Sequence, residues 1–351
     1  MRLTLLILAA CGAFGITALL GYPVIPWLRK LKFGQIILDI GPKWHKHKQG
    51  TPTMGGMMFI AGIALSAATA FAANVWLGLG LFDVPDIGVF TLRTSREITI
   101  KLVAGLIMAV TFGLLGFADD YVKVVKKRNK GLSISQKSVL QILISVGYLY
   151  SLYLAMHKSP YTVIPFVGSV HLGWFFWIFG FCVLYATTNA VNFTDGVDGL
   201  CSSVTVTAGV ALAVIAVMRG LFGAGVLAAA MVGGCAGFLV WNRNPAKVFM
   251  GDTGALFLGG LLIAITFALD MPIILLLVGL VYVIEGMSDV IQIGYFKLTH
   301  GKRIFRMAPF HHHLERGGWN EKKITLVLSL VNLIGCIAGI AAVWFGVPRL
   351  S

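Results

Sequence analysis

The stretch TIKLVAGLIMAVTFGLLGFADD, residues 99–120, is an apolar run of membrane-crossing length that ends on two adjacent aspartates. A helix of about 20 predominantly apolar residues spans the hydrocarbon core of a bilayer. Nine further runs read the same way, over about 3–27, 55–81, 138–156, 172–191, 201–218, 221–241, 255–269, 273–296 and 324–346. The whole chain agrees: 58% of its 351 residues are hydrophobic, only 12% are charged, and mean hydropathy is +0.86. Soluble domains carry about 25% charged residues. The sequence therefore predicts an all-α polytopic membrane protein of about ten transmembrane helices, with residues 1–351 as a single transmembrane catalytic domain. Arg2 precedes the first run without a small-residue cleavage signature, so that run is expected to be retained.

Charge sets the orientation. With ten helices, the connecting segments 28–54, 119–137, 192–200, 242–254 and 297–323 fall on one side, and they hold 21 of the 28 Lys/Arg residues. The positive-inside rule then places these segments in the cytoplasm and both termini outside. Acidic residues are scarce, 14 in all, yet Asp119, Asp120, Asp195, Asp198 and Asp252 all sit on that same cytoplasmic side. Carboxylates at the mouth of an apolar bundle are what a Mg²⁺-dependent site working on membrane-bound phosphate needs. The net charge of +14 suits a surface meeting anionic lipid headgroups and an anionic soluble ligand. Orientation alone also accounts for much of this bias.

Other features are less informative. The five cysteines lie in or beside apolar runs without a CxxC pair, which points away from a disulfide framework or a cysteine metal site. The longest polar segments, about 25 residues, are too short to fold as soluble domains. Forty-two glycines fit close helix packing and broken helices.

Five polar segments carry the chemistry. In the segment opening at Asp119, Asp119 and Lys123 are four apart and Asp120 and Lys123 three apart. On a continued helix all three share neighbouring faces. Adjacent carboxylates repel, and a divalent cation, a shared proton or an ordinary Asp–Lys pair would relieve this. The run Lys126–Lys130 reads as a membrane-surface contact. Asn192, Asp195 and Asp198 would fall within an arc of about 120° on a helix, a polar stripe without a nearby basic residue. Asp252 either caps the following helix or ligates a metal at a helix N-terminus. Phe249 lies three residues earlier and offers an aromatic face to a base. His311, His312 and His313 diverge on a helix or a strand and make a poor zinc chelate. They can instead donate to phosphate, act as acid or base, or make structural hydrogen bonds. Glu285 and Asp289, four apart in the ninth run, should face the bundle interior or a cavity. The basic segment 41–56 suits phosphate contact but does not have Walker A spacing.

The runs GTPTMGG (50–56), GFADDYVKV (116–124), NAVNFTDGVDGL (189–200), PAKVFMGDTG (245–254) and MAPFHHHLERGGW (307–319) together resemble the phospho-N-acetylmuramoyl-pentapeptide-transferase (translocase I) family, within the polyprenyl-phosphate N-acetylhexosamine-1-phosphate transferase superfamily. The resemblance covers almost the whole chain in order. It implies a Mg²⁺-dependent homodimer in the bacterial cytoplasmic membrane. This would transfer phospho-MurNAc-pentapeptide from its UDP carrier to undecaprenyl phosphate, giving lipid I and UMP. No nucleic-acid partner is expected. Carried over position by position, Asp119 and Asp120 match the aspartate pair that orients or deprotonates the lipid phosphate, and Asp252 matches the Mg²⁺ ligand. Asp119 and Asp120 are further metal candidates. Asn192, Asp195, Asp198, Asn242 and Phe249 match the nucleoside and diphosphate pocket, with Phe249 stacking on uracil. Lys48 and Lys123 match basic residues near the phosphates. His311 matches the essential histidine of a motif whose His312 and His313 also meet substrate. Ala255 departs from the family's usual Ser, and Phe193 and Val197 from its usual Leu. Two other readings are a GlcNAc-1-phosphate transferase acting on the same lipid and an ion-coupled transporter. The triple-His and GTPTMGG runs argue against the first. The clustering of the aspartates at one membrane face argues against the second.

Overall fold

The computed structural model describes residues 1–31, 50–83, 94–125 and 131–348. Helices dominate: α1 (Arg2–Lys30), α2 (Gly56–Leu77), α3 (Ser95–Val125), α4 (Ile134–Ala155), α5 (Phe175–Thr194), α6 (Leu200–Met218), α7 (Phe222–Asn242), α8 (Gly251–Ala268), α9 (Leu275–Val278), α10 (Leu280–Leu298), α11 (Phe310–Arg316) and α12 (Glu321–Gly346). A two-stranded antiparallel hairpin, β1 (Tyr161–Ile164) and β2 (Gly168–His171), is the only sheet among the described residues. Among the described residues, nine helices are long and apolar enough to cross a membrane, and a bent helix pair brings the number to ten when taken as one span. The chain is thus an all-α, multi-pass membrane protein.

That bent pair corrects one expectation. The run 273–296 is not one straight helix: a 3₁₀ turn at Pro272–Ile274 and α9 meet α10 at 90° across Gly279. A break at membrane depth strands backbone polar groups that lipid cannot satisfy. Asn332 of α12 satisfies them. Its Oδ1 accepts from the Val281 N–H at 3.1 Å, and its Nδ2 donates to the Val278 carbonyl at 3.0 Å. Gly335 lets α12 close on the break, because a Cβ there would lie 2.4 Å from the Leu277 carbonyl oxygen.

The most buried span is α8, and its main neighbour is α3, running antiparallel to it. Their seam is built from small residues. Gly105 faces Ala264, Gly260 faces Ala109, Gly113 faces Phe257, and Gly116 faces the main chain of Asp252. Small side chains let helix backbones approach closely where lipid provides no hydrophobic drive. At the far end of the seam Lys101, fully buried, pairs with Glu97 of α3 and with Asp270 just beyond α8. The Tyr161 phenol of the hairpin donates to Glu97 at 3.3 Å and to Asp270 at 3.2 Å. The α3/α8 pair is therefore clamped at one end by this buried charge network. Its other end carries Asp119, Asp120 and Asp252.

Candidate active site

Two helix boundaries decide the site, and both differ from the apolar runs. Helix α3 continues past residue 118 to Val125, so Asp119, Asp120 and Lys123 are helical and converge. Helix α8 begins at Gly251 rather than 255, so Asp252 lies in its first turn. The Gly116 contact brings these two ends together. Carboxylate oxygens of Asp119, Asp120 and Asp252 lie within 4.8 Å of one another.

The lysines bind this cluster. Lys123 Nζ lies 2.5 Å from Asp119 Oδ2, 3.1 Å from Asp252 Oδ2 and 3.8 Å from Asp120 Oδ1. Lys137 Nζ reaches Asp252 Oδ2 at 2.9 Å, and Asn192 Nδ2 donates to Asp252 Oδ1 at 2.8 Å. Asp252 does not cap its own helix. That role falls to Asp120, whose Oδ2 accepts from the Thr253 N–H at 3.0 Å and the Thr253 hydroxyl at 2.7 Å. Asp119 Oδ1 accepts from the Leu132 N–H at 2.7 Å, tying the start of the next segment to the cluster. Three carboxylates gather here around two ammonium groups. Hard oxygen donors in this number fit Mg²⁺.

Lys137 and Thr253 were not candidates from the sequence. Lys137 carried a legible signal: Ser133 and Gln136 form a capping box that starts α4 and sets Lys137 in its first turn. Asp120 could be assigned to Thr253 only once α3 and α8 were known to touch.

Asn192, Asp195 and Asp198 do not form one helical stripe. Asn192 is in the last turn of α5, Asp195 is that helix's C-cap, and Asp198 sits in the turn leading to α6. Asn192 turns toward Asp252, whereas Asp198 Oδ2 accepts from Asn244 Nδ2 at 3.1 Å and from the Ala246 N–H at 2.9 Å. Asn242 bridges the same loops, accepting from the Gly199 N–H at 3.2 Å and donating to the Val248 carbonyl at 2.9 Å. Asp198 and Asn242 thus hold the α5–α6 turn against the α7–α8 loop. That loop also carries Phe249, half-buried, whose N–H donates to the Pro52 carbonyl at 2.8 Å and whose carbonyl accepts from the Gly55 N–H at 2.8 Å. The segment GTPTMGG is thereby laid along the loop. Gly56 is required there, since a Cβ would come within 2.4 Å of the Gly254 Cα. Lys48 and the run 126–130 lie outside the described residues.

The three histidines of α11 do not all diverge: the His311 and His312 rings lie 4.1 Å apart between centroids, while His313 stacks on Phe310. His312 Nδ1 meets Glu315 at 2.6 Å, and His313 Nδ1 accepts from the Arg306 N–H at 3.1 Å. His311 is buried, with Nδ1 3.0 Å from Glu285 Oε2. Its Nε2 is buried without a hydrogen-bond partner and faces Gly196, between Asp195 and Asp198. A cavity of about 850 Å³ lies between α6, α7 and α12; Asp198 and Asn244 line it, and Asp119, Asp120 and Asp252 do not.

A helical membrane bundle whose chemistry-bearing side chains gather where its spans end defines a class of membrane-embedded transferases. Residues 102–270, which include the α3 and α8 aspartates, match the Glycosyl transferase family 4 profile. Over nearly its whole length the chain is 43% identical to the phospho-N-acetylmuramoyl-pentapeptide-transferase of Listeria monocytogenes, covering 98% of this chain and 100% of the relative. The enzyme of the same name from Acetivibrio thermocellus is 43% identical over 94% of this chain and 93% of its own. That from Caldicellulosiruptor bescii is 40% identical, covering 96% and 97%. The chain belongs to the phospho-N-acetylmuramoyl-pentapeptide-transferase family.

Proposed function

We propose that the protein transfers phospho-MurNAc-pentapeptide from UDP-MurNAc-pentapeptide to undecaprenyl phosphate, releasing UMP and forming lipid I. The observation that carries the site assignment is the meeting of Asp119, Asp120, Asp252, Lys123 and Lys137 at one end of the α3/α8 seam. The reaction forms one phosphoanhydride bond from a lipid phosphate oxygen and breaks another to UMP. Both partners are anions, so the protein mainly has to position them and neutralise charge.

Asp252 would hold Mg²⁺, with Asp119 beside it. Asp120 contributes mainly through its hold on Thr253. Bound there, the metal would offset the charge on the phosphates and polarise the transferring phosphoryl group. Lys123 and Lys137 supply ammonium groups at the same place, and Lys48, outside the described residues, is assigned to phosphate contact by the family resemblance alone. Asn192 orients Asp252. Asp195 and the turn at Asp198 and Asn242 shape the nucleoside pocket, with Phe249 as the platform for uracil. His311, His312 and His313 would meet the diphosphate of the donor, an assignment supported by the family resemblance. The Lys/Arg bias of the connecting segments supports a cytoplasmic active site in the bacterial inner membrane, with both termini outside. The working unit is a homodimer of single-domain chains.

The test is direct: purified protein, UDP-MurNAc-pentapeptide, undecaprenyl phosphate and Mg²⁺ should release UMP. Comparable turnover of UDP-GlcNAc would overturn the donor assignment.

A further inference from the structure

Glu285 is a fully buried carboxylate inside the membrane-embedded α10, and among the described residues no Lys or Arg pairs with it. An ionisable group placed there without a cation is costly and marks function more often than support. Its partners all belong to His311. Both carboxylate oxygens lie 3.2 Å from the His311 N–H, and Oε2 lies 3.0 Å from Nδ1. Both oxygens accept from the His311 N–H, and the arrangement in which Nδ1 in turn donates to Oε2 is the one on which the proposal below rests. The ring is then fixed in one orientation, with Nε2 as the nitrogen left to meet anything else. That Nε2 is buried, has no hydrogen-bond partner and points at Gly196, where an added Cβ would come within 2.2 Å of it. Gly196 lies in the turn that follows Asn192, the residue that orients Asp252. The chain thus carries an aimed but unanswered ring nitrogen toward the segment that frames the site.

We propose that Glu285 is a positioning residue for the transfer reaction: it sets the tautomer and the angle of His311 so that Nε2, and not Nδ1, meets the phosphate groups of the substrates. The competing explanation is mechanical, with Glu285 merely docking α11 onto α10 through the His311 N–H. Gln292, two turns further along α10, already anchors the segment that leads into α11. Its Oε1 accepts from the Ile304 and Phe305 N–H groups, and its Nε2 donates to the Phe305 carbonyl. Docking alone also gives no reason for the contact with Nδ1.

The inference rests on reading His311 as part of the site, and the experiment separates the two. Glu285→Gln, His311→Gln and the double variant are compared by UMP release with both substrates varied. Partners behind functional histidines typically contribute about 10- to 100-fold. Glu285→Gln should lower kcat by about that factor, leaving both KM values within about twofold. Groups acting as one unit are strongly non-additive, so the double variant should be no slower than His311→Gln alone. Glu285→Asp keeps the charge but sits one methylene short of the ring, and should not restore kcat. This variant also covers a Glu285→Gln protein that fails to fold. Multiplicative losses in the double variant, or full activity of Glu285→Asp, would overturn the inference while leaving His311 in the site. An unchanged kcat in His311→Gln would remove His311 from the site and the role of Glu285 with it.

Discussion

Asn332→Leu should destabilise the protein by about 2–4 kcal/mol, a size set by the two backbone groups at the break. Leucine keeps the branched heavy-atom skeleton of asparagine but is bulkier, so at this fully buried position an overpacking cost of about 1–3 kcal/mol adds to the loss. Five contacts are lost, the closest being those to the Val281 N–H at 3.1 Å, the Val278 carbonyl at 3.0 Å and the Thr207 hydroxyl at 2.9 Å, with the Val204 carbonyl and Cys336 Sγ further out. Interhelical hydrogen bonds in membranes average only about 0.6 kcal/mol, because the unfolded chain finds other partners in the bilayer. That discount applies to Thr207, whose hydroxyl also bonds the Val204 carbonyl at 2.8 Å. It does not apply to the Val281 N–H, and only in part to the Val278 carbonyl, which keeps the Cys336 thiol as a weak donor at 3.5 Å. Both groups lie at a 90° bend, where the helix cannot supply i→i−4 partners, and each unsatisfied group costs about 1–3 kcal/mol. One escape is open: the segment can straighten and pair these groups within a continuous helix. Straightening would move Glu285, six residues past the break, and with it His311. The assay is therefore double, an unfolding free energy by detergent titration and UMP release on the same preparation. A stability loss below about 0.5 kcal/mol together with unchanged kcat would refute the assigned role of Asn332.

Three further outcomes follow from the site. Asp252→Asn should fold normally yet lose turnover by orders of magnitude, and EDTA should silence the wild type, whereas full activity in either case rejects Asp252 as a metal ligand. Phe249→Ala should raise the KM for the UDP donor about 5- to 150-fold, from a base-stacking energy of roughly 1–3 kcal/mol. Its kcat and lipid KM should barely move, and a collapsed melting temperature with unaltered KM would make Phe249 a packing residue instead. Gly116→Ala should cost at least about tenfold in kcat, because its methyl would lie 2.1 Å from the Asp252 carbonyl oxygen and the two helix ends must part; wild-type activity would show that the seam does not set the cluster.

The spans were legible because lipid imposes a simple rule, one run of about 20 apolar residues per crossing. The break at Gly279 was not, since the run 273–296 is apolar on both sides of it and its support, Asn332, is some fifty residues further along the chain. The cluster was half legible. Asp119, Asp120, Asp252 and Lys123 stood out as rare charges at the ends of apolar runs, but their division of labour did not. Asp120 binding Thr253, and Asp198 binding the Ala246 N–H, depend on which helix ends meet. No local pattern encodes that. The helical stripe expected of Asn192, Asp195 and Asp198 failed for a related reason. The helix stops at Thr194, and the glycines at 196 and 199 turn the chain so that the three side chains serve different neighbours. Glu285 was visible as an inward-facing carboxylate. Its partner appeared only when α11 folded back onto α10.

Placing the cluster on helix ends rather than on loops has a physical consequence. A cation site needs its ligands held to a fraction of an ångström, and rigid elements hold them better than loops do. The α3/α8 seam supplies this rigidity because at Gly116–Asp252, Gly260–Ala109 and Gly105–Ala264 a glycine meets main chain or a single methyl group. Long side chains along that interface would let the helices slide by exchanging rotamers. Glycine and alanine have none to exchange. The Lys101 network at the opposite end acts on the same degree of freedom: sliding α8 along α3 would pull Asp270 off a buried ammonium, and a buried charge that loses its partner costs several kcal/mol. Axial slip between the two helices, the motion that would spread Asp252 from Asp119, is thus opposed along the seam by sterics and at its far end by charge.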